Sequence, residues 1–379
     1  MVAACPFPAP RGTPTRILRL AEGVASYGHS VHVATYHLGE PFETNQFSIH
    51  RIGNDARYRR LEAGPSYRKL WVDFKLSRLI KQLLAEQHFD VIHAHHYEGL
   101  LAALIGSAGR GMPIVYDAHT LAGVELADYP LGLPTATKRW IGRQLDRRLP
   151  KSADWCVTAS RTLADELVNN GAVPASRVTT VANGVESQHF SDVQRKAPMR
   201  DRKQLIFTGN LAPYQGVDIL VDAFAALCER RDDTELLILT DDPVDALRQS
   251  VTNRGIGDRV EFASGTFQEL PGWLAAADIA VNPRIRCDGV PQKLLNYMAA
   301  GCPIVSFTGS SKHLTDGESA LLVDKSDPHA FMTAIDRLLD APELAATLGR
   351  NAREIAVRDL SWELGAADLI DVFLKLANR

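Results

Sequence analysis

Residues 187–203 read SQHFSDVQRKAPMRDRK, and residues 204–210 continue as QLIFTGN. The first stretch is polar and follows neither helix nor strand periodicity, so it reads as a linker. The second is an apolar run closed by a turn signal, so it starts a new fold. On the N-terminal side the apolar runs HSVHVATY (29–36), DVIHAHH (90–96), MPIVYDAH (112–119) and DWCVTAS (154–160) alternate with amphipathic segments such as TRILRLAEGVASYG (15–28) and LADELVNNG (163–171). On the C-terminal side QLIFTGN is followed by ELLILTDD (235–242), VEFAS (260–264), DIAVNP (278–283) and CPIVSF (302–307), again separated by helical stretches or turns. Short buried runs between helices are the pattern of a parallel sheet covered on both faces, and it occurs twice. The predicted fold class is α/β, with two Rossmann-like domains, 1–187 and 188–360, and a terminal amphipathic helix over 361–379.

A chain of 379 residues with 45% hydrophobic content can bury two cores of ordinary size. Its formal charge of −3 gives no global pull toward nucleic acid, so none is expected as a partner. The five cysteines are scattered and never paired as Cys-x-x-Cys, which suits a reducing compartment and speaks against structural zinc. No apolar run reaches membrane-spanning length and no signal pattern opens the chain, so a cytoplasmic location is expected, with membrane contact only peripheral.

In open α/β sheets ligands bind beyond the carboxyl ends of the strands, and two such lobes facing one another form a cleft. After the first strand, Gly12 would let backbone approach a ligand, Thr13 can cap, and Pro14 suits the first helical turn. His93, His95, His96 and Glu98 crowd the end of DVIHAHH; polar site lining explains them better than a metal. Asp117, His119 and Glu125 follow the next buried strand, as site lining or as satisfied structural groups. In the second half Gly209 ends a strand and Gly216 precedes a helix. The stretch DGVPQKLLNYMAAGCPIV (288–305) reads as a loop, a helix opened by Pro291 and closed by Gly301, and a buried strand. Lys293 then lies in the first helical turn, against the positive end of the dipole, which calls for a nearby anion. With Arg284 and Arg286 it places three cations at one helix start, a set that favours a phosphate or diphosphate ligand.

Four features in order carry a family resemblance: RGTPTRI followed by a helix and GHSVHVATY; DVIHAHH; VTASRTLADELVNNG with VTTVANGVESQHF; and TGNLAPYQGVDILVDAF leading to GVPQKLLNYMAAGCPIV. Over nearly its whole length the chain resembles a family 4 glycosyltransferase of the GT-B fold, in which two Rossmann-like domains face across a cleft. The segment after Ser361 resembles the helix that crosses back onto the first domain. The resemblance implies metal-independent, anomer-retaining transfer of a hexosyl group from a nucleotide-diphosphate sugar, with no cofactor beyond that donor. The donor would lie mainly on the second domain and the acceptor mainly on the first. His95 matches the histidine near the transferred sugar, Gly12 the loop that approaches the phosphates, and Asp288, Gly289, Val290 and Asn296 the donor sugar and ribose segment. The acceptor side would draw on His96, Glu98, His119 and Glu125.

The departures are specific. Where the family carries an Arg and a Lys for the diphosphate, this chain has Asn210 and Gln215, both neutral. Where it carries two Glu separated by seven residues, this chain has Asp288 and Asn296; Asp288 keeps the charge and a catalytic role, whereas Asn296 can only hydrogen-bond. Diphosphate neutralisation is therefore expected from Arg284, Arg286 and Lys293, beside Gly209, Asn210 and Gln215. Two other readings compete: an inactive sugar-nucleotide-binding scaffold or partner subunit, and a nucleotide-sugar epimerase or hydrolase on the same fold.

The acceptor is a glycan, a lipid-linked glycan precursor or a small molecule. The stretch ARYRRLEAGPSYRKLWVDFKLSRLIKQLL (56–84) interleaves Arg57, Arg59, Arg60, Arg68, Lys69, Lys75 and Arg78 with Tyr58, Tyr67, Trp71 and Phe74. It reads either as a helix lying on an anionic membrane at its inner face, or as one whose Leu76, Leu79, Ile80 and Leu83 stripe packs on the sheet while its charges are solvated.

Overall fold

A computed structural model describes residues 1–9, 12–56, 58, 67–128, 132–191, 193, 202–287, 290–324 and 326–377. The chain divides into two compact units, Met1–Asn183 together with Trp362–Arg379, and Gly184–Ser361. The division falls slightly ahead of residue 187. Val185 is already tied to the second unit by a parallel bridge to Ser361. Within the expected linker, Ser187–Phe190 forms a short 3-10 turn of the second unit, and 192 and 194–201 lie outside the described residues.

The first unit runs β1 (Val2–Ala3), α1 (Gly12–Ser26), β2 (His32–Thr35), β3 (Ser48–Arg51), α2 (Tyr67–Glu86), β4 (Ile92–His95), α3 (His96–Gly106), β5 (Ile114–Ala118), α4 (Ala122–Asp128), α5 (Thr135–Arg148), β6 (Trp155–Thr158), α6 (Arg161–Asn169) and β7 (Val178–Thr180). Its seven strands pair in the order β3-β2-β1-β4-β5-β6-β7, every pair parallel. One face is covered by α2, α3 and α6 through Leu76, Ile80, Leu100 and Leu167. The other is covered by α1, on which the terminal helix packs, Trp362, Ala366 and Leu369 meeting the Ile17, Leu20 and Val24 side.

The second unit runs β8 (Lys203–Thr208), α7 (Val217–Cys228), β9 (Thr234–Leu239), α8 (Asp245–Asn253), β10 (Val260–Ala263), α9 (Leu270–Ala276), β11 (Ile279–Asn282), α10 (Gln292–Ala300), β12 (Ile304–Phe307), β13 (Leu321–Val323), α11 (Pro328–Asp340) and α12 (Pro342–Asp359); the terminal helix of the first unit is α13 (Trp362–Ala377). Its six parallel strands pair in the order β10-β9-β8-β11-β12-β13. In both sheets the strand order reverses beside the first strand of the unit, the place where open α/β sheets carry their ligands. These are two Rossmann-like domains. No helix among the described residues is long and apolar enough to cross a membrane.

Candidate functional site

In the second unit the site begins at the carboxyl end of β8. Gly209 has φ +121°, and a side chain there would come within 3.3 Å of Lys293 Nζ. The next turn needs glycine more strictly: Gly216 has φ +71°, and a Cβ would meet Pro283 O at 2.2 Å. α10 is fixed against this strand end by Tyr297, whose hydroxyl accepts from Thr208 N at 2.8 Å and lies 3.1 Å from Thr208 Oγ1. Lys293 is one turn earlier on the same helix, so the tether sets its ammonium beside Gly209. Pro291 is the N-cap rather than the first helical residue, its ψ of 130° being extended, and Gly301 closes the helix with φ 69°. Lys293 remains in the first turn.

Lys293 is only 9% exposed, and among the described residues its Nζ has no hydrogen-bond partner. It sits 3.8 Å from the centroid of the Phe207 ring. Burial, helped by the nearby Arg284 charge, pulls its pKa down to about 7. Gln215 is buried next to it, and its Nε2 donates to Asn210 Oδ1 at 3.2 Å, while Asn210 Nδ2 donates to Tyr214 Oη at 3.1 Å. Arg284 lies over the Tyr214 ring at 4.9 Å and donates from Nε to Arg286 O. The Arg286 side chain is exposed. Asn296 is buried with Oδ1 unpartnered, and Val290 is buried before the helix. Asp288 and Gly289, expected to carry donor-sugar contacts, lie outside the described residues.

In the first unit the expected polar lining forms a closed network. Gly12 opens α1 with nothing within 4 Å of where a Cβ would stand. Thr13 does not cap: the helix starts one residue before it, and its Oγ1 lies 3.2 Å from His119 Nδ1. His119 Nε2 in turn lies 3.2 Å from His95 Nδ1. Asp117, at 0% exposure, accepts from Arg16 Nε at 3.0 Å and Nη2 at 3.2 Å, and Arg16 Nη1 donates to Asn183 Oδ1 at 3.0 Å. His93 Nε2 and His95 Nδ1 approach the same carboxylate at 3.3 and 3.4 Å. Burial alone would raise the Asp117 pKa, but Arg16 and the histidines hold it well below the usual carboxylate range. Burial lowers His93, pushes His95 well below the ordinary imidazole value and takes His119 to about 3. Neutral imidazoles thus surround one fixed ion pair.

His96, at the start of α3, has φ 65°, unusual for a non-glycine residue. Its Nε2 lies 2.8 Å from Glu125 and its Nδ1 3.6 Å from Glu98, which also meets Lys69 at 3.6 Å. Burial works against protonation of His96, but the two carboxylates outweigh it and hold the pKa up at about 9. His93, His95 and Asp117 also bring three ligand-type atoms within 4.8 Å of one another. Both oxygens of Asp117 are, however, taken by Arg16.

Arg16 and Asn183 were missed in the sequence. A signal existed for the first: Arg16 is four and eight residues before the buried Leu20 and Val24, on the apolar stripe of α1, where a cation needs a partner. In the basic stretch 56–84 the Leu76, Ile80 and Leu83 stripe packs in the core while Trp71 and Phe74 are exposed. Lys75 is paired with Asp55 at 2.7 Å. Arg57, Arg59 and Arg60 lie outside the described residues, as do the side chains of Tyr67 and Arg68.

The profile described as Glycosyltransferase Family 4 matches residues 10–189, and that described as Glycosyl transferases group 1 matches 202–341. D-inositol 3-phosphate glycosyltransferase 2 of Catenulispora acidiphila is 30% identical over 306 residues, 76% of this chain and 70% of the relative. Sucrose-phosphate synthase of Thermosynechococcus elongatus superposes with a TM-score of 0.79 at 19% identity, covering 97% of this chain and 94% of that one. Anabaena HepE, solved with UDP and glucose, gives 0.76 at 17% identity and 98% coverage of each chain. With two parallel Rossmann-like units, both profiles in register with them and a relative of this identity, the chain belongs to the group 1, family 4 glycosyltransferases of the GT-B fold.

Proposed function

We propose that the protein is a metal-independent, retaining hexosyltransferase that takes its sugar from a nucleotide-diphosphate donor. The observation that carries this reading is Lys293, a cation 9% exposed, in the first turn of a helix, without an anionic partner among the described residues. A diphosphate beside Gly209 would supply that partner and meet the free amides of the α10 N-terminus. As the glycosidic bond breaks, negative charge grows on the leaving diphosphate, and a preorganised ammonium in a dry site stabilises it. Arg284 and Arg286 add charge from the solvent side, and the Asn210–Gln215 pair offers neutral hydrogen bonds. Asp288, Gly289, Val290 and Asn296 would hold the sugar and ribose. The second unit is then the donor domain. Metal independence is supported by the same ammonium and helix amides, which do the work a divalent cation would otherwise do. Support for the donor class comes from HepE, solved with UDP and glucose.

The first unit would receive the acceptor, with His95 and His119 near the transferred sugar and His96, Glu98 and Glu125 holding hydroxyls. The acceptor classes are a glycan, a lipid-linked precursor or a small molecule, and the location is cytoplasmic, at the membrane face for a lipid-linked one. The neutral Asn210–Gln215 pair is what favours the second reading, a sugar-nucleotide-binding scaffold. Calorimetric titration with UDP, GDP and ADP in the presence of a chelator, followed by nuclear magnetic resonance of nucleotide sugars mixed with a panel of glycan, lipid-linked and small-molecule acceptors, separates them. The enzyme binds one diphosphate without metal and gives a product of unchanged anomeric configuration. Binding with no turnover leaves the scaffold; no binding to any of the three removes both.

A further inference from the structure

The loop that carries Arg284 and Arg286 is held by serines of the neighbouring strand. Residues 283–287 follow the carboxyl end of β11, and beside them β12 runs out through Ser306 and Phe307 into the 3-10 segment Thr308–Ser310 and then Ser311. Asn282, Ser306 and Ser310 are fully buried and Ser311 nearly so. Small polar side chains buried together cost free energy unless they answer one another. Here Asn282 Nδ2 donates to Ser306 Oγ at 2.8 Å and to Ser310 Oγ at 2.9 Å, and Ser311 Oγ lies 2.5 Å from Ser306 Oγ. Ser310 Oγ is 2.6 Å from Arg284 O. That carbonyl can only accept, so the Ser310 proton points to it, and the Ser310 lone pair takes the Asn282 amide. The series of bonds ends on the backbone of the cationic loop.

Gly309 adds two further contacts. Its carbonyl accepts from Cys287 N at 3.0 Å, and a Cβ at Gly309 would come within 2.4 Å of Ile285 O. On the other side Pro283 O fills the place where Gly216 lacks a side chain. The loop backbone is therefore fixed at Pro283, Arg284, Ile285 and Cys287, while the Arg284 guanidinium reaches over the Tyr214 ring. With Asn210 and Gln215 neutral, an anion at this strand end depends on Lys293 and on this loop. A cation whose backbone is set before the ligand arrives spares the cost of ordering it on binding. We propose that the segment Thr308–Ser310, through Ser310 Oγ and Gly309, is a positioning element for the donor diphosphate, acting through the backbone of the loop that carries Arg284 and Arg286. Asn282 orients the Ser310 hydroxyl for that role. This deepens the donor reading above and rests on it.

The test is a double-mutant cycle on the full chain, read by calorimetric titration with whichever of UDP, GDP and ADP the wild type binds. Ser310→Ala removes the hydroxyl and is expected to weaken binding about fivefold, the worth of one hydrogen bond. Gly309→Ala pushes on Ile285 O from the same side with Ser310 intact, and should weaken binding by a similar factor. In a background carrying Arg284→Gln and Arg286→Gln both substitutions should change affinity by less than about twofold, because the cations they position are gone. A merely structural role would weaken binding equally in the two backgrounds, and that result overturns the proposal. Ser319→Ala is the control: it removes another buried serine bonded to backbone, at Thr315 N, and should lower the denaturant midpoint while leaving affinity unchanged. Affinity lost as strongly in Ser319→Ala as in Ser310→Ala also overturns it. Wild-type binding that ignores Ser310→Ala and Gly309→Ala overturns this proposal alone, whereas a wild type that binds none of the three nucleotides overturns the donor reading and this proposal with it.

Discussion

Two buried charge sites, one in each unit, are built on opposite principles. Asp117 is met by a two-point guanidinium and by neutral histidines, so its charge is answered inside the fold. Lys293 is buried almost as deeply and is answered by an aromatic ring and a neutral amide neighbour. The first arrangement holds geometry, whereas the second is strained until an anion arrives. The difference teaches which buried charge belongs to the scaffold and which to the ligand, and mutations at the two sites should act in opposite directions.

The largest effect is expected at the closed site. Arg16→Met leaves Asp117 buried without its main partner, and removing one member of such a pair costs about 3 to 5 kcal/mol. A fall in the denaturant midpoint of that size, at unchanged slope, is the expected result. Asp117→Asn should also destabilise, by leaving Arg16 uncompensated. If Arg16→Met unfolds at the wild-type midpoint, the pair is not structural and the contrast with Lys293 collapses.

At the open site the sign reverses. Lys293→Met keeps the volume and removes a buried cation, so the ligand-free protein at neutral pH should melt higher, while diphosphate affinity drops by about 10- to 100-fold, the worth of a hydrogen bond to a charged group. The pH dependence follows from the depressed pKa of about 7. Between about pH 7 and the ordinary lysine value the unfolded chain binds the extra proton, so stability of the free protein rises with pH across that window. A bound diphosphate needs the ammonium, so affinity is full below about pH 7 and weakens by up to about tenfold per unit above it. Both slopes should vanish in Lys293→Met. Affinity flat from pH 6 to 9 in the wild type would detach Lys293 from the diphosphate.

The contrast also explains what the sequence disclosed. Lys293 was legible because a cation in a first helical turn breaks a local rule. Arg16 was harder to see because its partners, Asp117 and Asn183, are 101 and 167 residues away, and nothing local ties them together. The parallel sheets were readable from continuous apolar runs such as LLIL and IVSF, but their strand orders depend on long-range pairing that periodicity does not encode.

The smallest and most discriminating change is Gln215→Lys. Gln215 Nε2 stands 4.0 Å, and Lys293 Nζ 3.3 Å, from the Cβ that Gly209 lacks, so a lysine here would set two ammonium groups around one strand end. Without ligand they repel in a poorly solvated place, and the protein should melt lower than wild type. With a diphosphate both find a partner, and affinity should rise by about fivefold, close to 1 kcal/mol. The two shifts share one cause, which makes their joint sign the test. Lower stability with weaker binding would mean that the Gln215 amide itself holds the ligand, and that the neutral pair is a working part of this donor site.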